Sequence, residues 1–167
     1  AASVAVGDVT GDGIADVAVG ASDGPRVFVY RGGDFVKLAE FAPGPSANFW
    51  GRTQVALADV TGDKRADLVV TGLYPTGVRV AGFDGATLRP GATPTAAFAA
   101  WTLAGFASAP TLAAGDVNAD GFADLAFGSG DWDGSRVRVV SGKELVQTGT
   151  RKVLAEFAPP GREYGFG

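Results

Sequence analysis

The 167-residue chain contains no cysteine, no histidine and no methionine. Without cysteine there are no disulfides and no thiolate chemistry, and without histidine there is no imidazole to serve as a general base near neutral pH. The usual nitrogen and sulfur ligands of zinc are missing as well, so any metal has to be held by oxygen. A chain without cysteine is stable in reducing and oxidising surroundings alike, which leaves the compartment open. No apolar run approaches the ~18 residues that span a bilayer, and the first residues lack the basic, apolar, small-residue order of a signal peptide. The expectation is a mature, soluble segment away from the membrane. Lys and Arg form no block or stripe, the net charge is −4 and the pI is near 4.7, so nucleic acid is not an expected partner.

What the chain does have is 46% hydrophobic residues against 19% charged, which suits a folded globular protein. Its 26 glycines and nine prolines are spread along the chain, which points to many short elements joined by tight turns and so to an all-β protein. Self-comparison then exposes a repeat. Ser3-Val-Ala-Val-Gly-Asp8 matches Gln54-Val-Ala-Leu-Ala-Asp59 and Thr111-Leu-Ala-Ala-Gly-Asp116. Asp16-Val-Ala-Val-Gly20 matches Asp67-Leu-Val-Val-Thr71 and Asp124-Leu-Ala-Phe-Gly128. A third set aligns Arg26-Val-Phe-Val-Tyr30, Gly77-Val-Arg-Val-Ala81 and Arg136-Val-Arg-Val-Val140, each ending near a Gly-rich turn. Val36-Lys-Leu-Ala-Glu-Phe41 returns as Val153-Leu-Ala-Glu-Phe157.

These segments are short, rich in Val, Leu and Phe, and bounded by Gly, Pro and Asp, which marks them as strands. No helical stripe competes. Four strands per unit in three tandem units describe β-propeller blades, with approximate limits 1–50, 51–105 and 106–167 in a single propeller unit. A sandwich of about twelve strands is the alternative, but it does not require the loops and their flanks to recur in register. Trp50-Gly51 stands eight residues before Asp59, and Phe166-Gly167 would stand eight before Asp8 if the ends were joined. Three blades are too few to close a ring. The expectation is therefore a homo-oligomer, a dimer giving six blades or a trimer giving nine, with a longer parent chain as the alternative.

Between the first two strands of each unit lies a nine-residue acidic loop, at 8–16, 59–67 and 116–124. The first reads Asp8-Val-Thr10-Gly-Asp12-Gly13-Ile14-Ala-Asp16. In a tightly curled loop alternate positions point inward, so Asp8, Thr10, Asp12 and Asp16 offer side-chain oxygens and Ile14 its carbonyl. Several hard oxygens around a small cavity suit calcium. Gly13 allows the positive φ that turns the chain back. The third loop supplies Asp116, Asn118, Asp120, Asp124 and the Phe122 carbonyl. The second supplies Asp59, Thr61, Asp63, Asp67 and the Arg65 carbonyl but has Lys64 where the others have glycine. A left-handed non-glycine residue costs about 1 kcal/mol, and two adjacent cations weaken the local field, so this loop is expected to bind more weakly.

An EF-hand also opens with acids at alternate positions, but its twelfth position needs a bidentate Glu. Here that position holds Val19, Val70 and Phe127, inside strands. The loops, their Val-Ala-x-Gly-Asp-Val and Ala-Asp-Val/Leu flanks and the preceding Phe/Trp-Gly instead resemble FG-GAP repeats, also called VCBS repeats, the blades of the integrin α-subunit propeller and of many secreted or surface proteins. The resemblance covers essentially the whole chain. It implies calcium bound between the first two strands of each blade by the residues just named. Lys64 departs from the family pattern, and the spacer from Gly105 to Asp116 is three residues longer than that from Gly51 to Asp59.

In a propeller the connectors between the second and third strands of the units, here residues 22–24, 73–77 and 131–134, share one face. Trp132 and Tyr74 are the candidates there for a protein or glycan surface, which makes a propeller-type lectin the alternative function. Trp50 and Trp101 are expected to be packing residues, and Arg136 and Arg138 to be solvated or paired with acids of a neighbouring blade. Paired carboxylates alone hydrolyse glycosidic bonds in some enzymes, but half of the eighteen acids fall in the loops and no nucleophile and base pair stands out. No catalytic residue and no organic cofactor is expected. Weak calcium loops fill at millimolar ion, which favours an extracellular or periplasmic location.

Overall fold

The computed structural model describes residues 2–44, 49, 51–129 and 135–159, and its strands form three antiparallel sheets of four strands each. The first contains β1 (Ser3–Gly7), β2 (Asp16–Gly20), β3 (Val27–Tyr30) and β4 (Lys37–Phe41). The second contains β5 (Gln54–Ala58), β6 (Asp67–Tyr74), β7 (Gly77–Phe83) and β8 (Ala96–Leu103). The third contains β9 (Thr111–Gly115), β10 (Asp124–Gly128), β11 (Val137–Val140) and β12 (Val153–Phe157). Every strand pairs with its sequence neighbour, so each sheet is a local meander of the kind that makes a propeller blade. Among the described residues the three sheets are separate, and no sheet closes on itself.

Residues opposite one another in an antiparallel pair share a face, and that register decides the packing. Ala5, Ala18 and Val29 lie in one row of the first sheet and meet Val55, Leu57, Leu68 and Val70 of the second. The other face of the second sheet presents Val69, Val80, Phe98 and Trp101 to Leu112, Leu125 and Phe127 of the third. The middle sheet is thus covered on both sides, which is why Leu68, Val69 and Val70 form an unbroken apolar run and are all buried. Full burial of such a side chain contributes about 1.5–3 kcal/mol. The sheets approach closely at Gly7, where an added Cβ would lie 2.8 Å from the Leu57 Cβ and 2.9 Å from that of Ala66.

Four details differ from the sequence expectation. First, the third strand of the second unit is displaced by two residues. Val27 pairs with Gly20 and Val80 with Thr71, so the counterpart of 26–30 is 79–83 rather than 77–81. The cause is a longer hairpin, with Leu73 and Tyr74 of β6 pairing to Val78 and Gly77. A slip of two residues keeps each side chain on its face, so the Val pattern alone could not expose it. Second, the β3–β4 connectors of the later units contain a 3-10 turn, Gly85–Thr87, and a helix, α1 (Gly142–Gln147) capped by Ser141 accepting from the Glu144 amide. Six residues are too few to show a helical stripe.

Third, Tyr74 is not a surface residue: it is 9% exposed, and its ring meets Phe49 edge to face at 5.3 Å. Burial raises its phenol above the usual range. Fourth, Arg136 and Arg138 pair with Glu156 of their own sheet, and they reach the neighbouring sheet through the carbonyls of Gly105 and Ala104 instead. Trp101 is a packing residue, 5.5 Å from Phe98 and 6.4 Å from Phe127 across the sheet boundary. Trp50, Trp132 and the connector around it, and Phe166-Gly167 lie outside the described residues.

Candidate functional site

Each acidic loop joins the first and second strands of its sheet, and the last acid of each begins the second strand. Those last acids, Asp16, Asp67 and Asp124, are almost completely buried. Asp16 Oδ2 accepts from the amides of Val9 and Thr10 at 2.9 and 3.0 Å, and its Oδ1 accepts from Gly32 at 2.8 Å. Asp67 repeats the pattern with Val60, Thr61 and Gly85 at 3.0, 2.9 and 2.9 Å. Asp124 does so with Val117 and Gly142 at 3.2 and 3.1 Å. One carboxylate therefore ties the loop's start, the second strand and the β3–β4 connector together.

The sequence predicts only a Gly-rich turn at this connector, and the structure fixes one glycine of that turn in the clasp. A Cβ on Gly32, Gly85 or Gly142 would lie 2.3, 2.1 or 1.8 Å from the carbonyl oxygen of Ala15, Ala66 or Ala123. Only glycine fits against the loop. The signal that identifies it is a Gly two residues after Tyr30, Phe83 and Val140, visible once the third strand is set in its true register.

The first acids curl the loop. Asp8 Oδ1 accepts from the amides of Gly11 and Asp12 and from the Thr10 hydroxyl, and Oδ2 accepts from Gly13 at 2.7 Å. Asp59 holds Gly62, Asp63 and Lys64 in the same way, and Asp116 holds Asp120 and Gly121. The middle acids accept from the residue two ahead: Asp12 from Ile14, Asp63 from Arg65 and Asp120 from Phe122. At position three, the Asn118 side-chain oxygen accepts from Asp120, whereas the buried Thr61 hydroxyl faces Asp67 without a hydrogen bond of good geometry. The loops bring their acids onto one curl of backbone. Among the described residues, however, no three carboxylates converge on a common point.

The electrostatics differ along the loop. At Asp8 desolvation acts upward, but the amides of Gly13, Gly11 and Asp12 outweigh it and hold the carboxyl below its ordinary 3.8. The amide of Gly121 does the same for Asp116. Burial pushes Asp67 and Asp124 above 3.8, against the amides of Gly85 and Gly142. The charges of Asp63 on Asp67, and of Asp120 and Asp116 on Asp124, add to the rise.

Two positions in each loop are left-handed, where the sequence predicts one. Position six holds Gly13, Lys64 and Gly121 at φ 85, 70 and 85°. Position four holds Gly11, Gly62 and Ala119 at φ 77, 79 and 60°. Lys64 thus makes the turn expected to strain it, and Ala119 puts a comparable strain into the third loop.

The loops also touch one another. The Ala66 amide donates to the Asp8 carbonyl at 2.7 Å, and the Ala123 amide to the Asp59 carbonyl at 2.6 Å. Arg65 lies over Gly11 and donates to the Thr10 carbonyl at 2.8 Å, while the Phe122 ring lies over Gly62. Position seven of one loop therefore covers position four of the loop before it.

Three stacked four-stranded sheets with the same acidic loop at the same strand junction define a tandem β-repeat protein of blade-like units. The chain belongs to the FG-GAP repeat family: residues 2–70 match FG-GAP-like repeats and residues 108–142 match the FG-GAP repeat. Such repeats act as scaffold and interaction modules of β-propeller type. No curated protein matches the chain.

Proposed function

We propose that the chain is a calcium-binding scaffold module of β-propeller type, working by presenting surfaces rather than by catalysis. The observation that carries the reading is the threefold recurrence of one oxygen-only loop, with mutually repelling acids, at one place in every sheet. Repulsion among Asp116, Asp120 and Asp124 is relieved by a cation or by protons. The donor set fits a hard divalent ion. The amides that hold the carboxylates leave room for one: each carboxylate oxygen has two lone-pair sites, and Asp8 Oδ2 and Asp16 Oδ1 each accept a single amide hydrogen. Ion binding draws Asp8, Asp12 and Asp16, with the Thr10 hydroxyl and the Ile14 carbonyl, toward a common point, and likewise in the other loops.

Loop 8–16, with glycine at both left-handed positions, binds tightest. Loop 116–124 carries the Ala119 strain, and loop 59–67 carries the Lys64 strain with two cations beside it. Two copies completing six blades, or three completing nine, is the assembly this module is suited to, in an extracellular or periplasmic setting where calcium is plentiful. A glycan-binding role loses support from the burial of Tyr74.

The test is a thermal melt with millimolar calcium and with chelator, paired with titration calorimetry. The expected result is a melting temperature several degrees lower in chelator, with the weakest binding event strengthened in Lys64→Gly. A melting temperature indifferent to chelator overturns the calcium reading.

A further inference from the structure

We propose that a small cavity between the first and second sheets is a binding site for one halide-sized monovalent anion, held by the Arg79 guanidinium and the Tyr74 hydroxyl. It lies at the end of β6 opposite Asp67. The site is therefore independent of the acidic loops and goes beyond the scaffold reading.

The third strands of the three sheets share an arginine. Gly20, Thr71 and Gly128 pair with Val27, Val80 and Val137, so Arg26, Arg79 and Arg136, each one residue earlier, are counterparts. Arg26 lies 3.9 Å from Glu40, and Arg136 lies 3.5 Å from Glu156. Those two acids stand one residue before Phe41 and Phe157, the fourth-strand partners of Val27 and Val137. In the second sheet the partner of Val80 is Trp101, and the residue before it is Ala100. The middle arginine thus lacks the acid that its counterparts have, and among the described residues it forms no ion pair and no hydrogen bond.

The surroundings sharpen that deficit. Arg79 is half-buried, and its Nε is shut off from solvent without a hydrogen-bond partner. A guanidinium cannot shed its proton to relieve the deficit, and a buried donor left unmet is costly, the more so on a charged group. Arg79 and Tyr74, with Pro43, Phe49, Thr53 and Val70, line a cavity of about 10 Å³, room for one water-sized atom. Phe49 holds the Tyr74 ring there edge to face, and the Tyr74 hydroxyl donates to no described residue. Burial raises the Tyr74 phenol, and the neighbouring Arg79 charge opposes that rise. The Thr53 hydroxyl is already committed, donating to the Gly24 carbonyl at 3.1 Å.

The cavity therefore offers two free donors, one of them cationic, and no carboxylate among its lining residues. That set selects an anion over a cation, and the volume selects a single atom over sulfate or phosphate. A water would meet the hydrogen bonds but leave the charge uncompensated. The anion takes the place that Glu40 and Glu156 fill beside the other two arginines.

The experiment uses the whole chain, with calcium held constant as its gluconate salt. Crystals soaked in sodium bromide are measured at the bromine absorption edge for the native protein, Arg79→Met, Ala100→Glu and the control Arg26→Met. Thermal melts of the same four proteins compare sodium chloride with sodium gluconate at equal ionic strength. The expected result is an anomalous peak within hydrogen-bond distance of Arg79 Nε in the native protein and in Arg26→Met, and none there in the other two. Replacing gluconate by chloride should raise the melting temperature by about 2–4 °C more in the native protein than in Arg79→Met or Ala100→Glu. Ala100→Glu keeps the guanidinium and supplies the carboxylate of the other sheets, so it displaces the anion without emptying the cavity of its cation. It also carries the test should Arg79→Met fail to fold, which a circular-dichroism spectrum checks. An ordered water at Arg79 with no bromide signal overturns the proposal. So does a halide peak that survives Ala100→Glu, or a chloride response equal in all four melts.

Discussion

Loops 59–67 and 116–124 carry the same three aspartates, yet the middle loop is gripped from both sides and the last from one. Asp59 gives its carbonyl to Ala123, and Ala66 reaches back to Asp8. Loop 116–124 reaches back through Ala123 but, among the described residues, hands nothing forward. Val60 is fully buried, and its counterpart Val117 is 65% exposed. The clasp follows suit: the amides on Asp67 are at 3.0, 2.9 and 2.9 Å, those on Asp124 at 3.2 and 3.1 Å. The neighbouring sheet, as much as the nine residues themselves, sets how firmly a loop is held.

The largest expected break in that comparison is Asp67→Ala. It strands the buried amides of Val60 and Gly85 and the part-buried amide of Thr61, at about 1–3 kcal/mol for each buried one, so the whole chain should lose several kcal/mol in denaturant unfolding. Asp124→Ala, with longer contacts at an open end, should lose about half as much. Equal losses would mean that the neighbouring sheet does not matter. A smaller effect of opposite sign is expected from Ala119→Gly and Lys64→Gly. Each removes a left-handed side chain at a gain of about 1–2 kcal/mol and returns about 0.4–1 kcal/mol through the freer unfolded chain. A net rise of about 0.5–1 kcal/mol should appear for each, and Gly13→Ala should reverse it.

The smallest effect is in the pH profile of the ion-free protein. Asp67 and Asp124 have raised values, so their ionisation opposes folding above those values, and stability should recover as pH falls through them toward 3.8. Asp8 and Asp116 have lowered values, so their contribution is present above 3.8 and disappears as pH falls through the folded values below it. Urea midpoints measured from pH 7 to pH 2 in chelator should therefore rise slightly before they fall. With calcium the rise should vanish, because the ion favours the charged carboxylates.

The strands and loops were legible because they depend on local pattern: Val and Leu alternation between Gly and Asp breakers, and acids two residues apart. What was not legible depends on three-dimensional partners. The role of Gly32, Gly85 and Gly142 becomes visible only against the Ala15, Ala66 and Ala123 carbonyls. The left-handed turn at position four was hidden because Gly11 and Gly62 read as ordinary loop glycines and Ala119 gave no warning. Tyr74 looked like a connector residue because the longer β6–β7 hairpin, which carries it into a strand, leaves no mark in the valine spacing.

The bond from the Ala66 amide to the Asp8 carbonyl gives each sheet boundary its own reporter. That proton is held only while two particular sheets touch, and the Ala123 proton reports the next boundary separately. Hydrogen exchange at two amides would therefore follow the opening of the stack boundary by boundary, without a label or a mutation. The Ala15 proton, exchanging freely in a lone chain, would slow only when something had closed over the first sheet.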